Sequence, residues 1–184
     1  MEQLVGQEGM GAKALLFLIL TAARSGEVRG ATWEEIDLAA RVWTIPAERM
    51  KASKAHRVPL SDAAIALLQE MKALAQAAGR NSGKAYVFPS PNSRDPELGS
   101  ALSDMTLTAV LRRLKLEAVP HGFRSTFRDW CAEQTDYPNE VAEMALAHTV
   151  GNKVEAAYRR GDLLAKRQQL MQDWADYAHG RRAE

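Results

Sequence analysis

The sequence predicts a mostly α-helical domain carrying one small antiparallel sheet of three strands. Three observations predict it. Apolar residues recur at helical spacing over long stretches, as in Ile65, Leu68 and Met71. β-branched and aromatic residues are confined to short runs that end in proline, chiefly Val42 to Ile45. The chain has 184 residues, 46% apolar and 26% charged, which is the size and balance of one globular domain.

Each element follows in order. Ala14 to Ala23 is apolar and rich in helix formers, so it reads as a buried helix ending near Ser25-Gly26. A short helical segment runs from Glu27 toward Gly30. Val42-Trp43-Thr44-Ile45 is a strand stopped by Pro46. Arg57-Val58-Pro59-Leu60 is a second, placed at a sheet edge by its proline. The turn between them carries Arg49, Lys51 and Lys54 up to Arg57, against Glu48 alone. Ser61 caps a helix through about Ala78. Tyr86 to Pro89 is the third strand, and Ser90 to Gly99 is a polar loop. Ser103 to Leu116 is a helix with Leu107, Val110, Leu111 and Leu114 on one face; others run from Phe123 to Glu133 and from Asn139 to Ala147. Gly161 separates a helical segment containing Tyr158 from a last helix. There Leu163, Leu164, Leu170, Met171, Trp174 and Tyr177 form an apolar stripe. That stripe fits either the domain's own core or a neighbouring protomer.

Several function classes drop out. The single cysteine, Cys131, excludes an intramolecular disulfide and a cysteine-rich zinc site. Glu2 and Gln3 stand where a secretory signal needs basic residues, and Leu15 to Leu20 is far short of the roughly 20 residues that span a bilayer. The expected setting is the cytoplasm. No phosphate-binding glycine loop and no HExxH occurs, and His56, His121, His148 and His179 lack zinc-ligand spacing. The net charge of +1 rules out a uniformly basic coat but not a local basic site.

The residues that remain are cations, histidines and one tyrosine. Arg24 lies in Thr21-Ala22-Ala23-Arg24-Ser25-Gly26-Glu27, and Lys51 lies in the basic turn. His121-Gly122-Phe123-Arg124 sets His121 and Arg124 three apart at a helix start, aimed at one locus. His148 follows Leu146-Ala147, and Tyr158 follows Ala156-Ala157. With Trp33-Glu34-Glu35-Ile36-Asp37, this ordered set resembles the tyrosine recombinases, in particular the phage-type integrases of genomic islands. The resemblance covers roughly Ala14 to Tyr177.

The resemblance implies a DNA breaking-rejoining catalytic-domain fold over 1–184, bacterial or phage-encoded, that recombines DNA at attachment sites. It implies Tyr158 as nucleophile forming a 3′-phosphotyrosyl link, and Arg24 and Arg124 as the pair that meets the charge on the phosphate. His148 would be a further donor, His121 the group acting on the tyrosine proton, and Lys51 the acid for the departing 5′ oxygen, with Lys54 as its rival. Glu27 would be a buried acid that orients the lysine turn or the first arginine. Lys54, Arg57, Arg159 and Arg160 would contact DNA. No metal and no other cofactor is implied. Partners would be double-stranded DNA and other protomers, the latter through the helix at 162–178.

The chemistry agrees. Guanidinium forks match phosphate oxygens, and a phenol with a pKa of about 10 needs a cationic pocket. Two alanines depart from the family pattern: Ala22 and Ala147 stand where glycine is usual. The resemblance implies a further N-terminal domain that clamps the other face of the DNA, which residues 1–184 are not expected to supply, so this chain by itself is expected to bind DNA weakly and with little sequence preference. The basic residues, including Arg112, Arg113 and Lys115, are expected on a DNA face, with Glu133, Asp136, Glu140 and Glu143 on another. The alternative from another class is a non-catalytic DNA-binding remnant or regulator of the same fold.

Overall fold

A computed structural model describes residues 1–148 and 161–181. The helices are α1 (Glu2–Val5), α2 (Met10–Thr21), α3 (Ser25–Arg29), α4 (Asp62–Ala77), α5 (Thr106–Arg113), α6 (Gly122–Gln134), α7 (Asn139–Ala145) and α8 (Leu164–Ala178). The strands are β1 (Ile36–Asp37), β2 (Val42–Ile45) and β3 (His56–Pro59), paired antiparallel in the order β1-β2-β3. The expected fold class holds. Among the described residues no helix is long and apolar enough to cross a membrane.

α2 is the hub. It is apolar on all sides, as only a fully enclosed helix can be, and every residue but Met10 and Lys13 is buried. α5 approaches it so closely that a Cβ at Gly11 would meet Thr106 Cγ2 at 2.8 Å. Phe17 reaches across to Trp43 of β2, with ring centroids 5.2 Å apart, and to Phe88 at 5.4 Å. The sheet thus seats on α2 through one aromatic ring.

β3 is an edge strand, as Pro59 requires, with Pro59 opposite Val42 and His56 opposite Ile45. The third strand is not the expected one. Tyr86 makes only an isolated bridge to Thr32, while Ile36–Asp37 pairs with Val42 and Trp43. Tyr86 to Pro89 is apolar because Val87 and Phe88 feed the core, not because a ladder needs them. α5 is shorter than its apolar run suggests. Lys115 turns left-handed (φ 58), and Leu116 N–H closes on Leu111 O at 3.0 Å.

α8 packs in cis. Leu170, Met171 and Trp174 are buried in the chain's own core. Trp174 Nε1 donates to Ile19 O at 2.7 Å, and its ring meets Phe127 edge-on at 5.3 Å. The stripe at 162–178 is therefore spent on the domain's own core, because an indole N–H inside an apolar core needs the α2 carbonyl it finds. Any protomer link through α8 falls to its outer face, where Tyr177 is exposed.

Trp174→Ala is expected to lower unfolding free energy by about 3–5 kcal/mol, read from the denaturant midpoint. A loss below about 1 kcal/mol would contradict cis docking.

Candidate active site

Two helices end at one point. α2 stops where Ala22 turns left-handed (φ 49) and its N–H bonds Ile19 O at 3.3 Å. α7 stops likewise. Ala147 has φ 51, its N–H reaches Met144 O at 3.2 Å, and the next N–H, of His148, reaches Glu143 O at 2.9 Å. A left-handed residue at a helix end favours glycine, so the glycine usual at each place has a backbone reason that alanine meets only under strain. The alanines keep that backbone conformation at a cost of about 1–2 kcal/mol each.

Arg124, in the first turn of α6, lies between the two ends. Its Nη1 donates to Ala22 O, and its Nη2 donates to Leu146 O at 2.7 Å. Carbonyls at helix C-termini carry partial negative charge, so this cradle suits a cation that is only 4% exposed. Arg24 arrives from the start of α3. Its backbone N–H and its Nη1 both bond Glu27 at 2.7 Å, and its Nη2 reaches the same Leu146 O at 3.5 Å. Burial first, and then the Arg24 charge, lowers Arg124 from 12.5 to about 10, with Glu27 opposing. Arg124 stays cationic at neutral pH, and the two guanidinia repel across the shared carbonyl. An anion placed between them would relieve that repulsion.

His148 completes the group, with Nε2 at 3.4 Å from Arg124 Nη2 and Nδ1 at 2.7 Å from Glu143 Oε2. Arg24, Arg124 and His148 are thus brought together. His121 stands exposed at the start of α6, one turn before Arg124. Lys51 and Lys54 are exposed in the turn before β3, with no side-chain partner among the described residues. Arg57 is half-exposed and pairs with Asp162 at 3.3 Å. Tyr158, Arg159 and Arg160 lie outside the described residues. An open groove of ≈ 810 Å³, lined by Trp130, Tyr137, Tyr177, Asp136 and Asp173 among others, contains none of these candidates.

Comparison with known proteins bears on this arrangement. The model of the phage integrase family matches residues 7–163. The chain belongs to that family. It is 39% identical over 163 residues to "Prophage integrase IntA" of Escherichia coli K12, covering 88% of this chain and 37% of that protein. It is 33% identical over 181 residues to the integrase of Enterobacteria phage P4, covering 89% of this chain and 39% of that protein. To the integrase of Shigella phage Sf6 it is 31% identical over 159 residues, covering 85% of this chain and 39% of that protein. The chain therefore spans less than two-fifths of the length of each of these relatives.

Three residues of this phage integrase domain escaped the sequence reading. Glu143, assigned above to an acidic face, binds His148 and also accepts from Arg128 Nε at 2.6 Å. His56 approaches Ala145 O through Nε2 at 3.2 Å. Burial first, then Arg167 and more weakly Arg124, push His56 down to about 4, against the Ala145 carbonyl and Glu27, so the neutral ring donates there. Arg167 is 1% exposed and donates to Asp162 O at 2.7 Å and Arg57 O at 2.6 Å, tying α8 to β3. Two of them had a signal. His56 alternates with buried Val58 along β3, and Arg167 falls at helical spacing with Leu170, Met171 and Trp174. Glu143 had none, because its partners are distant in α6 or beyond the end of α7.

The basic turn is also corrected. Arg49 is not part of a DNA face: its Nη1 pairs with Glu35, its Nη2 donates to Glu27 O, and a Cβ on Gly30 would meet it at 2.7 Å. Glu35, buried, also takes the Trp43 indole N–H at 2.9 Å, and a buried carboxylate holding two donors draws the nearest cation inward.

Ala147→Gly is expected to be neutral or to raise stability by up to about 1 kcal/mol, because relief of the left-handed strain is partly offset by unfolded-chain entropy. A loss of more than about 1 kcal/mol in chemical denaturation would contradict the observed turn. The pH dependence of His56 has a definite sign. Its folded pKa is depressed from 6.5 to about 4, so its stabilisation is full above 6.5 and is lost as pH falls toward 4. The slope is at most about 1.4 kcal/mol per pH unit. His56→Asn should flatten stability against pH in that window, and an unchanged slope would refute the assignment.

Proposed function

We propose that this chain cuts and rejoins DNA strands without a metal ion, through a 3′-phosphotyrosyl intermediate on Tyr158, to integrate or excise a phage or genomic island. The observation that carries this reading is the convergence of Arg24 and Arg124 on the single carbonyl of Leu146, with His148 against the Arg124 guanidinium. Attack on a phosphodiester concentrates charge on the non-bridging oxygens. Fixed donors held in a partly buried cradle meet that charge without reorganising, and preorganised donors of this kind commonly lower the barrier more than any other single effect.

Each residue has a role in this reading. Arg24 and Arg124 bind the non-bridging oxygens, and His148 adds a donor. His121 takes the phenolic proton of Tyr158 during cleavage and returns it during rejoining. Lys51 protonates the departing 5′ oxygen, with Lys54 in the same turn as the other candidate. Lys54, Arg159 and Arg160 face the backbone phosphates. Arg57 joins them only as far as its pairing with Asp162 allows. The 3′-phosphotyrosyl ester forms as the bond to the 5′ oxygen breaks and keeps its energy, so a free 5′ hydroxyl restores the backbone by attacking the phosphorus and releasing the tyrosine, and no ATP is consumed. Residues 1–184 act as the catalytic half of a clamp on duplex attachment sites, alongside other protomers.

The test is a nicked attachment-site duplex that sheds its short 5′-hydroxyl strand once cut. Wild type should accumulate a covalent adduct on denaturing gels, and Tyr158→Phe should form none. Arg24→Ala should slow adduct formation by about 10²–10³ while DNA affinity falls far less. DNA binding with no adduct in wild type would overturn the catalytic reading in favour of a DNA-binding remnant.

A further inference from the structure

We propose that Glu143 is a positioning residue that makes His148 take up a proton when a DNA phosphate enters the site. This rests on reading the site as a phosphodiester-cleaving centre.

Glu143 holds His148 twice. Its carbonyl accepts the His148 backbone N–H at 2.9 Å, so the residue cannot swing away without unwinding the end of α7. Its Oε2 meets the ring at Nδ1 at 2.7 Å. An ionised carboxylate only accepts, so Nδ1 carries a hydrogen. On the other edge of the ring stands Arg124 Nη2, 3.4 Å from Nε2. A guanidinium only donates, so Nε2 presents its lone pair. Held this way, between one acceptor and one donor, the ring has a use for one hydrogen, on Nδ1.

A phosphate reverses the demand at Nε2. Its oxygens offer lone pairs, so Nε2 must carry a hydrogen to bind one. Moving the ring's one hydrogen from Nδ1 to Nε2 would satisfy the phosphate but break the bond to Glu143. A proton from solvent on Nε2 satisfies both partners, and the imidazolium formed lies against the carboxylate. Glu143 is suited to this. Burial alone would raise its carboxyl, but the hydrogen bonds from His148 and Arg128 and the Arg128 charge outweigh that and hold it below the ordinary carboxylate range. Arg128 Nε occupies Oε1 at 2.6 Å and leaves Oε2 to the ring.

The surrounding charges set the balance. Among the described residues, Arg124 and Arg128 of α6 and Arg24 at the start of α3 oppose a second proton on the ring. His56 of β3 is neutral. Glu27 of α3 favours the proton, but its carboxylate is engaged with Arg24. Glu143 is the carboxylate in direct contact, so without it the cations keep the ring neutral and the phosphate loses a donor.

The experiment counts protons on binding. Tyr158→Phe chain is titrated with attachment-site duplex in buffers of different ionisation heat near neutral pH, and again with Glu143→Gln or His148→Asn added. Each added substitution should lower the proton uptake by the same amount, up to about one proton. The two together should lower it no further, and Glu143→Asp should restore part of it. Unchanged uptake in folded Glu143→Gln overturns the inference, as does a fall in Glu143→Gln without a matching fall in His148→Asn. If Glu143→Gln fails to fold, Glu143→Asp against His148→Asn decides it in the same way. The wild-type adduct assay is read separately. An adduct with unchanged proton counts sinks this inference alone; linked uptake with no adduct sinks the catalytic reading alone.

Discussion

The guanidinium of Arg124, held between the carboxyl ends of α2 and α7, is the contact on which the rest of the site depends. It is one side chain closing three helices. Ala22 O and Leu146 O are both at helix ends, where carbonyls lack an intrahelical partner, and Arg124 supplies the missing donors. A buried cation is tolerable only with such compensation. The same bonds hold α6, α7 and the Arg24 segment in register. His148 then falls beside the guanidinium because α7 must end within a residue of the carbonyl that Arg124 binds. Binding geometry and helix termination are one constraint here.

Charge in this domain is local rather than facial. Taken alone, a net charge of +1 suggests a basic face cancelled by an acidic one. Several of the cations are in fact committed inside: Arg49 to Glu35, Arg167 to Asp162, Arg24 to Glu27. Lys51 and Lys54 stand apart from this pattern in their exposed turn. Conversely Glu143, counted with the acids away from the site, sits at its edge. A charge assigned by sequence position says nothing about its counter-ion, and the counter-ion decides what the charge does.

The helices were legible because their apolar spacing is long and regular. The buried α2, Ser61 with its oxygen accepting Ala64 N–H at 3.3 Å, and the edge position of β3 all follow from local rules. β1 was not legible, since two residues carry no periodicity. Tyr86 to Phe88 mimicked a strand because apolar β-branched and aromatic residues serve a core as well as a ladder. Among the site candidates, Arg24, Arg124 and His148 were legible through the order of short motifs. The anchor that the two arginines share on Leu146 was not, because it is a backbone carbonyl and any residue supplies one. The left-handed turns at Ala22 and Ala147 were hidden for a related reason: alanine does not advertise positive φ as glycine does.

The docking of Trp174 onto α2 has a consequence for how the chain reaches its native state. That hydrogen bond joins residues 155 apart, and the Arg124 contact with Ala22 joins residues 102 apart. Contacts of such separation form late, because a long loop must close before they contribute anything. α2 cannot find its full cover until α8 arrives, and Arg24 cannot meet Arg124 until the intervening sheet and helices are in place. A partly folded chain therefore carries all its cations and none of their convergence. The meeting of Arg24 with Arg124 belongs with the last long-range contacts to form, not with the early local ones.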